Sequence, residues 1–144
     1  MIILDTNVLS ELIRLQPDMQ VIHWFRSLQN QQCVTTTITR AEIRYGIGLL
    51  PEGKRKHQLQ QAVIALFQPA IVEQVLPFDT DAADCYAEIA ILRRQHGLPI
   101  SQSDAMIAAI TKTHTATLAT RNIKDFHHCG IALIDPWNRE EQVR

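Results

Sequence analysis

Met1-Ile2-Ile3-Leu4-Asp5-Thr6-Asn7 sets an apolar run directly against a carboxylate, and Val8, Leu9, Leu12 and Ile13 then recur at helical spacing until Pro17. An apolar run that gives way at once to a helical period reads as a buried strand turning into a helix, the repeating unit of α/β domains. Asp5 is thereby delivered to the carboxyl end of a strand, where open α/β sheets gather their ligands.

The same alternation continues outward from that stretch. Asp18 can cap a second helix with Val21, Ile22, Phe25 and Leu28 on its apolar face, and Cys33 to Thr37 is β-branched enough for a strand. Ile38 to Leu50 returns to helix, Pro51-Glu52-Gly53 breaks it, and Lys54 to Phe67 resumes it through Leu59, Val63, Leu66 and Phe67. This predicts a protruding helical hairpin over about 38–69. Val75 to Phe78 reads as a strand, Asp79 to His96 as a long helix stopped by Gly97 and Pro99, and Ser101 to Thr113 as another helix. Ala116 to Thr120 and Ile131 to Ile134 read as the last strands, with an irregular tail after Pro136. Strands separated by helix-length segments imply parallel pairing, so the expected architecture is a three-layer α/β/α domain with a central, mainly parallel sheet.

With 144 residues and 46% hydrophobic content, the chain is expected to form a single domain over 1–144. Its apolar runs fall far short of the roughly 20 residues that cross a bilayer, and no basic segment precedes an apolar one at the N-terminus. A soluble cytoplasmic protein is the expectation. Cys33, Cys85 and Cys129 are widely separated and lack Cys-x-x-Cys spacing, which points to small buried hydrophobes rather than disulfides or structural zinc. The net charge of −1 gives no global attraction to nucleic acid. Arg40, Arg44, Lys54, Arg55, Lys56, Arg93, Arg94, Arg121 and Lys124 form either a basic rim around a pocket or an ordinary solvated surface.

Two further carboxylates stand at the starts of helix-patterned segments: Glu42 in Thr39-Arg40-Ala41-Glu42 and Asp104 in Ser101-Gln102-Ser103-Asp104. Each has an ordinary structural reading. Asp5 can cap the helix that follows it, and Thr39-x-x-Glu42 and Ser101-x-x-Asp104 match the capping box, in which an acidic side chain reaches back to the N-cap amide. Capping does not explain why all three fall where a parallel sheet brings strand ends and helix starts together. As a set, Asp5, Glu42 and Asp104 predict one acidic pocket. Such a pocket suits phosphodiester hydrolysis, because hard oxygen ligands favour Mg²⁺ or Mn²⁺, and such a cation polarises phosphate and activates water. Without the cation, mutual repulsion raises the pKa of at least one crowded carboxylate.

In order along the chain, Ile2-Ile3-Leu4-Asp5-Thr6-Asn7, Ala41-Glu42-Ile43 with Gly46, Asp104-Ala105 with Ile107-Ala108, and Thr120-Arg121-Asn122-Ile123-Lys124-Asp125-Phe126 resemble the signature of PIN-domain ribonucleases. Within that family the chain is similar to the VapC and FitB toxins of bacterial type II toxin–antitoxin systems. The resemblance implies a Mg²⁺- or Mn²⁺-dependent endoribonuclease in which Asp5, Glu42 and Asp104 bind the metal, with Thr6 and Ser103 supporting them. Many PIN domains carry Asp where Asn122 stands. An amide binds metal through its oxygen but brings no charge, so Asn122 is a weak ligand. Asp125 either supplies the missing charge through a water or orients the loop. Arg40, Arg44, Arg121 and Lys124 are the residues expected to meet RNA phosphates. The resemblance further implies a homodimer, growth inhibition relieved by a cognate antitoxin, and contact with DNA only through that antitoxin. The apolar stripe of Lys54 to Phe67 is expected to form part of the antitoxin clamp.

Other signals carry less. Gly48-Leu49-Leu50-Pro51-Glu52-Gly53-Lys54-Arg55 falls short of a phosphate-binding loop, since Arg55 replaces the required Ser or Thr and no strand precedes it. The six histidines lack metal-ligand spacing, and Trp24, Phe25 and Tyr45 read as packing or interface residues before RNA-stacking ones. Two rival functions remain. A haloacid-dehalogenase-like phosphatase also presents an aspartate after an apolar strand, but its second aspartate would fall at Asn7. A non-catalytic PIN-like binding module is kept open by Asn122.

Overall fold

Ile3 projects to one face of the sheet and Ile2 and Leu4 to the other, so β1 (Ile2–Leu4) is buried on both sides. Parallel register places Ile3 beside Val34 of β2 (Cys33–Thr36) and Leu118 of β4 (Thr117–Ala119), and Leu118 beside Leu133 of β5 (Ala132–Ile134). That row packs against Ala82, Cys85 and Ile89 of α5 (Thr80–Gln95) and Ile107 and Ile110 of α6 (Gln102–Thr113). On the opposite face Ile2, Leu4, Cys33 and Ala119 meet α1 (Thr6–Leu12), α2 (Met19–Arg26), α3 (Thr37–Gly48) and α4 (Lys54–Leu66) through Leu9, Trp24, Ile43 and Val63. Burial on both faces is why β1 reads as a continuous apolar run instead of an alternating one, while β2 and β4 carry threonines among their apolar residues.

The computed structural model describes residues 1–138 and 142–143. Its sheet runs β3-β2-β1-β4-β5-β6, with β3 at Val75–Leu76 and β6 at Gln142–Val143. The first five strands are parallel and β6 is antiparallel to β5. The three-layer α/β/α expectation therefore holds. From β1 the chain steps outward to β2 and β3 on one side, then returns to add β4 and β5 on the other. Strand order thus reverses between β1 and β4, and the crevice at their carboxyl ends is the place such sheets use for ligands. Among the described residues no helix is long and apolar enough to cross a membrane.

Several boundaries differ from the sequence reading for local reasons. The strand expected through Thr37 ends at Thr36, whose hydroxyl accepts the Thr39 amide at 3.1 Å and caps α3. Thr39 therefore lies inside the first turn and Glu42 one turn beyond it, so the capping box read at Thr39 and Glu42 does not form. The box at Ser101 forms as expected from its cap side, with Ser101 Oγ accepting the Asp104 amide at 3.2 Å. The strand expected from Val75 to Phe78 stops at Leu76, because Pro77 has no amide to extend the ladder. The tail is not wholly irregular, since Gln142 pairs with Ile134 and Val143 with Leu133; residues 139–141 and 144 lie outside the described set. All three cysteines are buried and unbridged. Trp24 is core, whereas Tyr45 stands 70% exposed on α3 and so does not pack inside.

Candidate active site

Asp5 follows β1 and Thr120 follows β4, so the two residues that flank the reversal are adjacent in space. The Asp5 amide donates to Ala119 O at 3.0 Å, and the Thr120 amide donates to Ile134 O at 3.0 Å, continuing the ladder one step past the strand ends. Asp5 is only 5% exposed. Its Oδ1 accepts the Thr6 amide at 2.8 Å, which caps α1, and its Oδ2 accepts the Thr120 hydroxyl at 2.7 Å. On the other flank, the Thr35 hydroxyl donates to Leu4 O at 2.7 Å, replacing a ladder bond where β2 gives way to α3. The carboxylate is thus held by the first amide of α1 on one oxygen and by the residue that follows β4 on the other.

Thr120 is itself oriented. Its oxygen accepts the Asn122 amide at 3.1 Å and approaches Asn7 Nδ2 at 3.4 Å, while Asn7 Oδ1 accepts the Arg121 amide at 3.2 Å. Once its hydroxyl proton is committed to Asp5, the Thr120 oxygen has only acceptor capacity left for these donors. Sequence reading gave neither Thr120 nor Asn7 a role. Thr120 was legible as the first residue of Thr120-Arg121-Asn122, but its pairing with Asp5 depends on β4 lying next to β1, which spacing does not reveal.

Glu42 enters from α3. Its Oε1 accepts the Thr6 hydroxyl at 3.0 Å, and Thr6 Oγ1 lies 3.2 Å from Thr39 Oγ1. Thr6 therefore bridges Asp5, through its amide, and Glu42, through its hydroxyl. Asp104 enters from the first turn of α6 and is partly buried. Ser103 lies beside it, but among the described residues it makes no hydrogen bond to a carboxylate. Asn122 and Asp125 belong to the segment after β4, where a 3₁₀ turn spans Ile123–Phe126 and the Asp125 amide donates to Asn122 O at 3.0 Å.

The electrostatics show which of these groups share space. Burial pushes the Asp5 carboxyl up to about 6; the Thr120 and Thr6 hydrogen bonds pull it back, and the charges of Asp104 and Glu42 raise it further. Asp104 is also raised, chiefly by burial and then by Asp125, against the lowering effects of Ser101 and Arg93. Asp5, Glu42 and Asp104 thus form one electrostatically linked group, joined through Asp104 to Asp125. Among the described residues, however, no three His, Cys, Asp or Glu side chains stand close enough to form a metal group as they are. The donors present are carboxylates, threonine hydroxyls and an amide oxygen, all hard ligands of the kind Mg²⁺ and Mn²⁺ prefer. Carboxyls held above their ordinary range by burial and like charge are what a divalent cation relieves, so the residues fit such an ion.

The basic residues divide into unlike groups. Arg40 places its guanidinium over the Phe67 ring at 4.7 Å, and Arg121 over the Trp137 ring at 4.9 Å. Arg44 and Lys124 are exposed. Arg93 is buried and belongs to no rim. A groove of about 650 Å³ opens beside the acidic cluster, lined by Thr6, Glu42, Arg14, Ile47, Arg55 and Leu59 among others from α1, α3 and α4.

A doubly wound α/β sheet with linked carboxylates at its reversal point defines a class of acidic-site domain. The sequence profile described as PIN domain matches residues 2–130. The chain belongs to the PIN-domain family. It is 39% identical over 138 residues to Toxin FitB of Neisseria gonorrhoeae, covering 96% of this chain and 99% of that one. It is 37% identical over 137 residues to VapC ribonuclease Y4jK of Sinorhizobium fredii, covering 95% and 98%. The solved structure of FitAB bound to an IR36 DNA fragment superimposes with a TM-score of 0.89 at 39% identity, covering 98% of this chain and 99% of that one.

Proposed function

We propose that this chain is a Mg²⁺- or Mn²⁺-dependent endoribonuclease that hydrolyses RNA phosphodiester bonds and acts as the toxin of a toxin–antitoxin pair. The observation that carries the reading is the electrostatic linkage of Asp5, Glu42 and Asp104 at the strand-order reversal of a PIN fold. The names of the FitB toxin and the VapC ribonuclease support it. When bound, the cation supplies Lewis acidity toward the phosphodiester and the attacking water. Asp5, Glu42 and Asp104 would hold it, with Asn122 as a weaker, uncharged ligand. Thr120 and Thr6 keep the two Asp5 oxygens in fixed directions, and Thr6 does the same for Glu42, so that gathering the remaining ligands is the movement binding would require. Arg44 and Lys124 are free to meet RNA phosphates, and Arg40 and Arg121 to do so from their aromatic backing. Asp125 either adds charge through a water or orients its turn.

The partners follow from the same reading. An antitoxin segment would lie along the groove between α1, α3 and α4, whose inner end is marked by Thr6 and Glu42, with Leu59 of α4 supplying apolar contact. Contact with DNA would come only through the antitoxin, and the toxin would work as a cytoplasmic homodimer, which light scattering of the isolated protein tests. A dehalogenase-like phosphatase lacks support here, because Asn7 is occupied with Thr120 and Arg121 and offers no acid–base group.

The deciding experiment uses RNA cleavage with and without EDTA, and the Asp5→Asn variant. Chelation should stop cleavage reversibly. Asp5→Asn should fold and lower the rate by about a thousandfold, equivalent to roughly 4 kcal/mol of transition-state stabilisation. Full activity in the folded variant would remove the metal assignment, and RNA binding without cleavage by the parent would favour the binding module.

A further inference from the structure

Arg93 is a cation placed where a cation is costly. It lies on α5, 5% exposed, and among the described residues it forms no ion pair. Its Nη1 donates to His127 O at 2.8 Å and Lys124 O at 3.4 Å, while its buried Nε has no hydrogen-bond partner. Both carbonyls belong to the segment that carries the Ile123–Phe126 turn, and they flank Asp125. Both bonds come from the single nitrogen Nη1, carried on a planar guanidinium whose direction is fixed by its packing, a placement that a flexible lysine ammonium does not reproduce. Its charge also reaches Asp104 across the site.

We propose that Arg93 is a positioning residue of the acidic site: gripping the Lys124 and His127 carbonyls from inside the core, it sets where Asn122 and Asp125 stand relative to Asp104. The proposal rests on the metal-dependent reading above. Two effects of Arg93 on a bound cation have opposite signs. Its positive charge opposes the cation, whereas the geometry it imposes on the turn prepares the ligands. The clamp outweighs the charge, because the charge is partly met by Asp104 and, apart from a weak contact of the Cys129 thiol to His127 O at 3.8 Å, no other described side chain donates to these two carbonyls.

The test uses the full chain, with Arg93→Lys, which keeps the charge and loses the planar guanidinium, Arg93→Met, which loses both, and Ile89→Ala as a control for loosened packing on α5. Mn²⁺ binding is measured by calorimetry, and amide hydrogen exchange is measured in metal-free protein. Both Arg93 variants should bind Mn²⁺ about tenfold more weakly, as expected when a group that orients ligands is lost. The Asp125 amide should exchange about tenfold faster while the amides of β1 and β4 keep their protection. Ile89→Ala should leave Mn²⁺ affinity unchanged. Tighter Mn²⁺ binding by Arg93→Met would show that charge dominates and overturn the proposal, as would an equal loss in Ile89→Ala. Should Arg93→Met fail to fold, Arg93→Lys carries the comparison. A parent that binds no Mn²⁺ would defeat the nuclease reading instead, and the exchange rate of Asp125 would then decide the clamp alone.

Discussion

The Thr120 hydroxyl donates to Asp5 Oδ2 at 2.7 Å, joining two buried side chains that are 115 residues apart in sequence. Replacing it by Thr120→Val keeps the shape and removes the donor. The variant should lose about 1–3 kcal/mol of stability, the cost of an unsatisfied buried acceptor. It should also raise the Asp5 carboxyl further, since this bond lowers it. Urea denaturation and a carboxyl titration by NMR measure the two effects; an unchanged titration would mean that the hydroxyl does not face the carboxylate in solution.

The pH dependence of the metal-free fold has a definite sign. Asp5 titrates at about 6 in the folded chain against an ordinary 3.8, so between those values the folded state holds its proton more firmly than the unfolded one. That contribution is fully present below 3.8 and is lost as pH rises through about 6. The loss is on the order of 3 kcal/mol, and Asp104, shifted in the same direction, adds to it. Asp5→Asn should flatten the dependence and be more stable than the parent in EDTA at about pH 8. Stability that increased across this window would contradict the burial argument.

Asn122→Asp adds a charge in the turn that carries Asp125, whose own charge raises Asp104. It should tighten Mn²⁺ binding by about tenfold, because affinity follows the charge of the ligand set. The same substitution should lower the melting temperature in EDTA, where no cation offsets the added repulsion. Calorimetry and thermal melts with and without Mn²⁺ separate these effects, and tighter binding without the EDTA penalty would place the new carboxylate outside the cluster.

Lys124 is exposed beside the candidate site. If it meets an RNA phosphate, Lys124→Ala in the Asp5→Asn background should reduce the slope of log affinity against log salt by about 0.7. Fluorescence anisotropy over a salt series reads this directly. An unaltered slope would remove Lys124 from the RNA surface.

Much of the fold was legible because strands buried on both faces announce themselves as apolar runs, as Ile2-Ile3-Leu4 does, or through β-branched residues, as Cys33 to Thr37 does. Asp18, Asp79 and Ser101 announced helix starts through their capping chemistry. A capping box at Thr39 and Glu42 was weighed as the ordinary alternative to a ligand role because of its spacing; Thr36, three residues before Thr39, takes the cap and frees Thr39 for Thr6. Arg93 was read as surface because its charge argues for exposure. Only the tertiary placement of the Ile123–Phe126 turn over α5 gives it acceptors in the interior. Thr120, Asn7 and Arg93 share this character: each acts through a partner in a distant part of the chain, and such pairings leave no local pattern.

The order β3-β2-β1-β4-β5 also governs when the acidic site is assembled. Asp5 is synthesised first, yet its hydroxyl partner arrives with β4, after α6 has delivered Asp104. Non-local pairings of this kind form late in folding. A nascent chain still emerging from the ribosome therefore carries an unassembled site, and the site closes only once β4 has been added.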